Sequence, residues 1–374
     1  MRQSVFILGA SGNVGRELIK QIVQKDGIGK HSNPSVIVGV ANSNSYIFDS
    51  RGISGDILSK ILDSRVGATD MFTRQGTRFQ QLGELLDQVK QNGLNGEVVF
   101  ADVTAGQQEL LDFHKQVLLD SHNYLVTANK NPISLFSMQD FKDLTAYGRK
   151  YDTNTAVMGG AGILNFVNER HNGIGDDIFK IEGVFSGTLG YILSELEKQK
   201  NSFSDIVIDA HAQGYTEPNP WDDLNGLDVA RKLIILARYA GHNVELGDVQ
   251  VTPLIDQKYA DYSGDDFFRQ LEQLNDSFAK QVESARGAGN VLRYVAEMDA
   301  SGQDITLTVG LKIVSKDSDL GSLSGTSNLA LIETDILAVP LPHVIKSRGA
   351  GLAVTAGAVR VGISKMLPRD IKTQ

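Results

Sequence analysis

Between Gly214 and Gly241 the sequence reads GYTEPNPWDDLNGLDVARKLIILARYAG, the densest set of groups in the chain able to do chemistry. Pro218 and Pro220 stiffen its first half, which carries Glu217, Asp222 and Asp223. Asn225 is placed to cap the helix expected to follow. On that helix Asp228 and Lys232 are four residues apart and share a face. Such a pair can bind the two ends of a polar substrate, or let the lysine donate a proton to a developing alkoxide. Arg231 and Arg238 lie only about 100° around the helix from that pair. The four charges could equally form one solvated stripe with a surface salt bridge. The clustered carboxylates could also hold a metal, but no histidine stands at ligand spacing, which speaks against a transition metal. The histidines are scattered, with no HExxH and no nucleophile elbow.

A second chemical feature is GASGNVG, Gly9 to Gly15, which follows an apolar run and opens a helical pattern. Backbone N–H groups at a helix N-terminus attract anions, so Gly9, Ser11, Gly12, Asn13 and Val14 are placed to meet a dinucleotide pyrophosphate. The spacing is GxxGxxG rather than GxGxxG, so a tight turn without a ligand is the competing reading. At the end of the second apolar run stand Ala41, Asn42 and Ser43, where an NAD-binding fold would place a ribose-binding acid. Absence of that acid permits NADP and tilts the cofactor choice from NAD toward it. No arginine sits beside these residues in sequence; the nearest is Arg51. Thr104 and Ala105 follow the third run, and Lys130 follows the fourth in ANKNP. Ligands of open α/β sheets lie beyond the carboxyl ends of the strands. Lys130 can therefore meet a substrate oxygen there, or be a solvated loop lysine.

These groups need elements to hold them. Apolar runs at Ser4–Leu8, Val36–Val40, Val98–Val103 and Tyr124–Thr127 alternate with helical patterns, including Leu82–Lys90 and Glu109–Leu119. That alternation predicts a Rossmann-like, doubly wound parallel sheet. The texture then changes. Ile305, Leu307, Val309, Leu311 and Ile313 alternate with mostly polar residues, as in an antiparallel sheet with one wet face. Helical patterns near Asp228–Tyr239 and Phe267–Glu283 accompany it. The expected division is a dinucleotide-binding domain over residues 1–148 and an α+β domain with a mostly antiparallel sheet over 149–339. Residues 340–374, rich in small side chains from Gly349 to Met366, are expected to return to the first domain as a helix.

Composition limits the function classes. The net charge is −9, the opposite of what a non-specific nucleic-acid or acidic-membrane binder needs. Cysteine is absent, which removes disulfides, thiolate metal sites and acyl-thioester chemistry together. No apolar run approaches a membrane span or a secretory signal. A cytoplasmic protein acting on a small molecule is expected.

GYTEP-x-P-x-DDLNGLDVARK resembles the signature of homoserine dehydrogenases. The likeness runs in order through the Gly loop, GVANS (Gly39–Ser43), ANKNP (Ala128–Pro132), YDTN (Tyr151–Asn154), FSGTLGYIL (Phe185–Leu193), VLRYV (Val291–Val295) and GAG…VTAGA near the C-terminus. It implies reversible NAD(P)-dependent interconversion of L-aspartate 4-semialdehyde and L-homoserine, on the route to threonine and methionine, by a homodimer. It implies Lys232 as catalytic lysine, Asp228 as its acidic partner and Lys130 as a second active-site lysine. Glu217 and Asp223 would hold the amino and hydroxyl ends of the substrate, with Gly187 and Thr188 as a substrate-facing turn. A Na+ or K+ site near Asp152 and Val157 is implied as well. The chain departs from the family pattern at VMGGAG (Val157–Gly162), Trp221, GTSN (Gly325–Asn328), Arg348 and Gly362. These departures motivate two alternatives: a non-catalytic nucleotide-binding paralogue, and a dehydrogenase for another amino-acid-like aldehyde. Neither a kinase domain nor a regulatory domain is expected.

Overall fold

A computed structural model of the chain describes residues 3–26, 34–63, 68–92, 94, 98–337, 341–348 and 351–366. The chain divides into two compact units, Met1–Gly160 with Gly351–Gln374, and Ala161–Ala350.

The first unit contains β1 (Gln3–Leu8), α1 (Asn13–Lys25), β2 (Ser35–Ala41), β3 (Ser45–Phe48), α2 (Gly55–Leu62), α3 (Ala68–Gln75), β4 (Thr77–Arg78) and α4 (Gly83–Gln91). It continues with β5 (Val98–Asp102), α5 (Gln108–Leu119), β6 (Asn123–Thr127), α6 (Asn131–Ser134), α7 (Met138–Thr145) and β7 (Tyr151–Asp152). The sheet order is β4-β3-β2-β1-β5-β6-β7. Strands β2, β1, β5, β6 and β7 are parallel, as the alternating pattern predicts, and β3 and β4 add an antiparallel edge. Val5, Phe6, Ile7 and Leu8 are at most 2% exposed, because a sheet covered on both faces has no wet side for polar residues. Strand order reverses at β1, between β2 and β5, and ligands of such sheets bind outside the carboxyl ends at this point.

YDTN belongs to this unit and not to the second. Leu125 pairs with Tyr151 and Val126 with Asp152, so the unit extends beyond residue 148. The returning helix is Leu352–Met366. Its Ala356, Val359 and Ile363 share a buried cluster with Leu18, Ile19 and Ile22 of α1. Gln3 Nε2 donates to the Ile363 carbonyl at 2.7 Å, and Arg360 is paired with the buried Asp26. The small side chains allow this approach: a Cβ at Gly362 would lie 2.7 Å from Val126 and 3.3 Å from the Asp152 carboxyl carbon. The helix begins at Leu352, not at the expected residue 340. Residues 338–340, 349, 350 and 367–374 lie outside the described residues. His343–Arg348 form a strand of the second sheet, held by antiparallel pairing with Ser327–Ile332.

The second unit contains α8 (Ile163–Asn168), β8 (Ile178–Val184), α9 (Gly187–Leu196), α10 (Phe203–Ala212), α11 (Trp221–Leu224), α12 (Leu227–Tyr239) and β9 (Gln250–Val251). Then come α13 (Gly264–Leu271), α14 (Asn275–Gly287), β10 (Asn290–Asp299), β11 (Thr306–Ser315), β12 (Ser327–Thr334) and β13 (His343–Arg348). The sheet order is β13-β12-β8-β10-β11-β9, antiparallel except for the short β9–β11 pair. Phe267–Glu283 is not one helix. Asn275 binds Ser204 twice, accepting from its N–H at 2.9 Å and donating to its Oγ at 3.0 Å. That tie to α10 fixes the break between α13 and α14.

Candidate functional site

The cap of helix α12 falls one residue later than expected. Gly226 occupies the capping position in a left-handed conformation (φ 77°), and Asn225 Oδ1 accepts from the Leu227 N–H at 2.8 Å. Asparagine thus caps the helix from one place upstream. Asp228 stands in the first turn, where the helix dipole favours a carboxylate. Lys232 stands one turn on, with its ammonium 2.7 Å from Asp228 Oδ2 and 2.7 Å from the Phe185 carbonyl. The solvated-stripe reading is overturned by burial. The Lys232 side chain is 11% exposed. Arg238 is fully buried, donating to the Val244 carbonyl at 3.1 Å and to Glu245 at 2.7 Å. An ammonium has three donors. Two of those on Lys232 are committed to fixed acceptors, which aims the third.

Asp223 lies in the same unit, in α11. Its Oδ2 accepts from the Glu217 N–H at 2.7 Å, and its Oδ1 lies 2.9 Å from the Thr188 hydroxyl. Thr188 follows Gly187 in the first turn of α9, and its hydroxyl is also 2.7 Å from the Tyr215 carbonyl. Burial pushes the Asp223 carboxyl up to about 6. The Glu217 N–H and Thr188 hydroxyl oppose the rise, and the Glu217 and Asp228 carboxylates add to it. A carboxylate held under this tension suits a cationic partner, such as the ammonium group of an amino acid. Glu217 is exposed.

In the first unit the Gly loop is built to leave its backbone open. Gly9 has φ +81°, and a Cβ there would press on the Val103 carbonyl at 3.0 Å. The Gly9 and Ala10 N–H groups both donate to the Ala41 carbonyl at 2.9 Å. Gly12 caps α1 without a side-chain hydrogen bond, and no acid lies in the first turn. The Asn13 side chain accepts instead from Arg16 at 3.1 Å. This uncapped N-terminus of a full-length helix at the switch point fits a pyrophosphate, and Gly12, Asn13 and Val14 bound it. A Cβ on Gly15 would collide with the Gly9 carbonyl oxygen. Gly15→Ala is therefore expected to cost about 1–3 kcal/mol of stability by overpacking. It should also weaken nucleotide binding at least tenfold, read by thermal unfolding and nucleotide fluorescence titration.

The three residues expected at the ribose contribute differently. Ala41 is buried in the core and offers only its carbonyl, which the loop already uses. Asn42 Oδ1 accepts from the Asn44 N–H at 2.9 Å and the Ser45 N–H at 2.8 Å, shaping the β2–β3 turn. Ser43 is exposed at its tip.

Thr104 is fixed by a residue that sequence reasoning missed. Asp102 is fully buried at the end of β5 and accepts from the Thr104 N–H at 2.9 Å and hydroxyl at 2.7 Å. Its other oxygen is 2.9 Å from His114 Nε2, and His114 Nδ1 is 3.1 Å from the Tyr151 hydroxyl. Burial alone would raise the Asp102 carboxyl, but His114 and Thr104 hold it below the usual carboxylate range. Asn131 Nδ2 donates to the Ala105 carbonyl at 2.9 Å and Asn129 Nδ2 to the Gly106 carbonyl at 3.0 Å. These amides tie the loop after β5 to the loop after β6. Lys130 sits between them, half-buried, with its carbonyl accepting from the Ser134 hydroxyl at 2.7 Å. An acid ending an apolar strand was the available signal for Asp102.

The homoserine dehydrogenase family profile matches residues 163–363. The chain belongs to the homoserine dehydrogenase family. It is 38% identical over 277 residues to the bifunctional aspartokinase/homoserine dehydrogenase 2 of Escherichia coli (strain K12), an alignment covering 72% of this chain and 33% of that protein. The chain spans between 33% and 38% of the length of bifunctional relatives of this kind. Among solved structures, a putative homoserine dehydrogenase of Archaeoglobus fulgidus superimposes with a TM-score of 0.72 at 25% identity, over 97% of this chain and 99% of that one. A hyperthermophilic archaeal homoserine dehydrogenase in complex with NADPH shares the fold, with a TM-score of 0.71 at 21% identity over 99% of both chains.

Positions at which the chain departs from the homoserine dehydrogenase pattern have definite places. Trp221 is 7% exposed and stands in the same short helix as Asp222 and Asp223. Arg348 is exposed and pairs in register with Ser327. Asp152 Oδ1 accepts from the Asn154 backbone N–H at 2.9 Å and side-chain amide at 3.2 Å, and Val157 is buried. Met158, Gly159 and Gly160 follow with φ of 54°, 52° and 99°. The positive φ of Met158 is a strained conformation for a residue with a side chain. Among the described residues, no group of three or more His, Cys, Asp or Glu side chains is placed to hold a metal ion. No described helix is long and apolar enough to cross a membrane.

Proposed function

We propose that the chain interconverts L-aspartate 4-semialdehyde and L-homoserine with NADP as its preferred cofactor. The observation that carries this reading is the Lys232 ammonium, buried and held by Asp228 and the Phe185 carbonyl with a third donor to spare. The nicotinamide, when bound, supplies or accepts the hydride at the aldehyde carbon. In reduction the carbonyl oxygen becomes an alkoxide. The third Lys232 donor meets that oxygen, stabilises its charge and gives it a proton. Asp228 orients the lysine. Asp223 and Glu217 receive the substrate ammonium, with Thr188 bracing Asp223. In the first unit the Gly loop and the N-terminus of α1 hold the pyrophosphate, and Thr104, Ala105 and Lys130 stand where the parallel strands end. The NADPH complex of the archaeal homoserine dehydrogenase supports a nicotinamide nucleotide, and the absence of an acid at residues 41–43 supports the phosphorylated form.

The proposal extends to threonine and methionine biosynthesis, a cytoplasmic location and a homodimer. Exposed apolar side chains on the second sheet, Ile313 (61%) and Val344 (48%), favour a dimer through that sheet. A monovalent cation near Asp152 and Val157 would be held by backbone carbonyls, and the positive-φ run that follows supports such a turn. The test is absorbance at 340 nm with L-homoserine and NADP or NAD, and with the semialdehyde and the reduced forms, each with and without Na+ or K+. Turnover with these substrates is expected. A folded sample that binds nucleotide but turns over neither substrate would overturn the reading.

A further inference from the structure

The antiparallel edge of the first sheet does something that sequence spacing conceals. Strand β4 pairs with β3 so that Arg78 lies opposite Ser45 and Thr77 opposite Tyr46. The Phe79 N–H donates to the Asn44 carbonyl at 3.2 Å. Arg78, more than thirty residues away in the chain, is thereby brought to the turn that ends β2. Asn42, Asn44, Ser45, Arg78, Phe79 and Glu84 line a cavity of about 740 Å³ there. That volume lies within the range of small-ligand and cofactor sites. The place is chemically defined, since the carboxyl end of the second strand is where a doubly wound sheet receives the adenosine ribose.

We propose that Arg78 binds the 2′-phosphate of the adenosine and so selects NADP over NAD. The inference rests on the nucleotide part of the function proposed above and not on the identity of the amino-acid substrate. Guanidinium is the side chain best matched to a phosphate, because its planar donors pair with two oxygens at once. The turn residues Ala41, Asn42 and Ser43 carry no charge to repel a phosphate. Glu84 is the acid lining this cavity, and its Oε1 accepts from the Gln80 and Gln81 N–H groups at 2.8 and 3.0 Å. Those two dipoles offset its charge and brace the segment after β4. Phe79, tilted against Tyr46 at 6.5 Å between ring centres, offers an apolar surface to the adenine. Arg51, the arginine nearest to the turn in sequence, is 90% exposed and pairs with Asp49 at 3.5 Å.

The test uses the full chain and needs no turnover. Calorimetric titration with adenosine 2′,5′-bisphosphate and with 5′-AMP measures what the 2′-phosphate adds. The bisphosphate is expected to bind the wild type at least 30-fold more tightly than 5′-AMP. Arg78→Gln should reduce that ratio at least tenfold while leaving 5′-AMP affinity unchanged, Arg78→Lys should restore part of it, and Arg51→Gln should leave it intact. A wild type that does not distinguish the two ligands overturns the proposal. So does an Arg78→Gln variant that keeps the ratio, or one that loses both ligands equally. If Arg78→Gln erases the ratio in a chain that turns over no homoserine, the proposed reaction fails and the Arg78 assignment stands.

Discussion

Replacing Lys232 with alanine is expected to lower turnover by about 10³-fold, with nucleotide affinity within a factor of two of wild type. Losing one fixed donor to a developing oxyanion costs about 10²–10³ in rate. Losing the proton that the same donor supplies adds to this. The effect should fall on kcat, because the alkoxide exists only as the reaction proceeds. Nucleotide binding is spared because the Gly loop and α1 belong to the other unit. The replacement also leaves the Phe185 carbonyl and Asp228 without the ammonium between them. Lys232→Met, which keeps the bulk without the donor, separates that structural loss from the chemical one. Steady-state rates at 340 nm with NADPH fluorescence titration provide the check. Near-wild-type turnover in both variants would remove Lys232 from the chemistry.

The second large effect is expected at Asp223. Its carboxyl titrates near 6, and only the ionised form attracts an ammonium group. The kcat/KM for homoserine should therefore fall about tenfold per pH unit below 6, as protonation removes the attracting charge. Asp223→Asn should lower kcat/KM by about 10²-fold at pH 7 and abolish this acid limb. Stability responds in the opposite sense. The folded value lies above the ordinary carboxylate value of 3.8, so ionised Asp223 opposes folding above pH 6. That opposition, about 3 kcal/mol, is relieved as pH falls from 6 toward 3.8. At pH 7 the asparagine variant should unfold within a few degrees of the wild type or above it. A binding defect paired with a large drop in unfolding temperature would instead mark Asp223 as a structural residue.

The parallel core and the lysine helix were legible because apolar pattern and burial agree there. Val5–Leu8 and the interior of α12 are apolar in sequence and closed to solvent in the fold. The charge pattern of α12 was ambiguous for a physical reason. Lys232 and Arg238 are buried because carbonyls outside the helix, Phe185 and Val244, receive them, and no periodicity encodes a carbonyl. Strand β4 was invisible because two exposed residues, Thr77 and Arg78, carry no apolar signal. Its existence depends on pairing with Ser45 and Tyr46, and Arg51 drew attention only by its position in the chain. Asp102 was hidden for the opposite reason. It ends an apolar strand, and its partners His114 and Thr127 arrive from other elements.

The hydrogen bond from Gln3 to Ile363 also sets a timetable for synthesis. The first unit is split by the second, because the helix covering Leu18, Ile19 and Ile22 leaves the ribosome only after the whole second unit. At about 5–20 residues per second, α1 waits roughly 20–70 s for that cover. The second unit, contiguous in sequence, can close in the interval. The nascent first unit meanwhile presents an open apolar stripe, the kind of surface that chaperones bind and aggregation exploits.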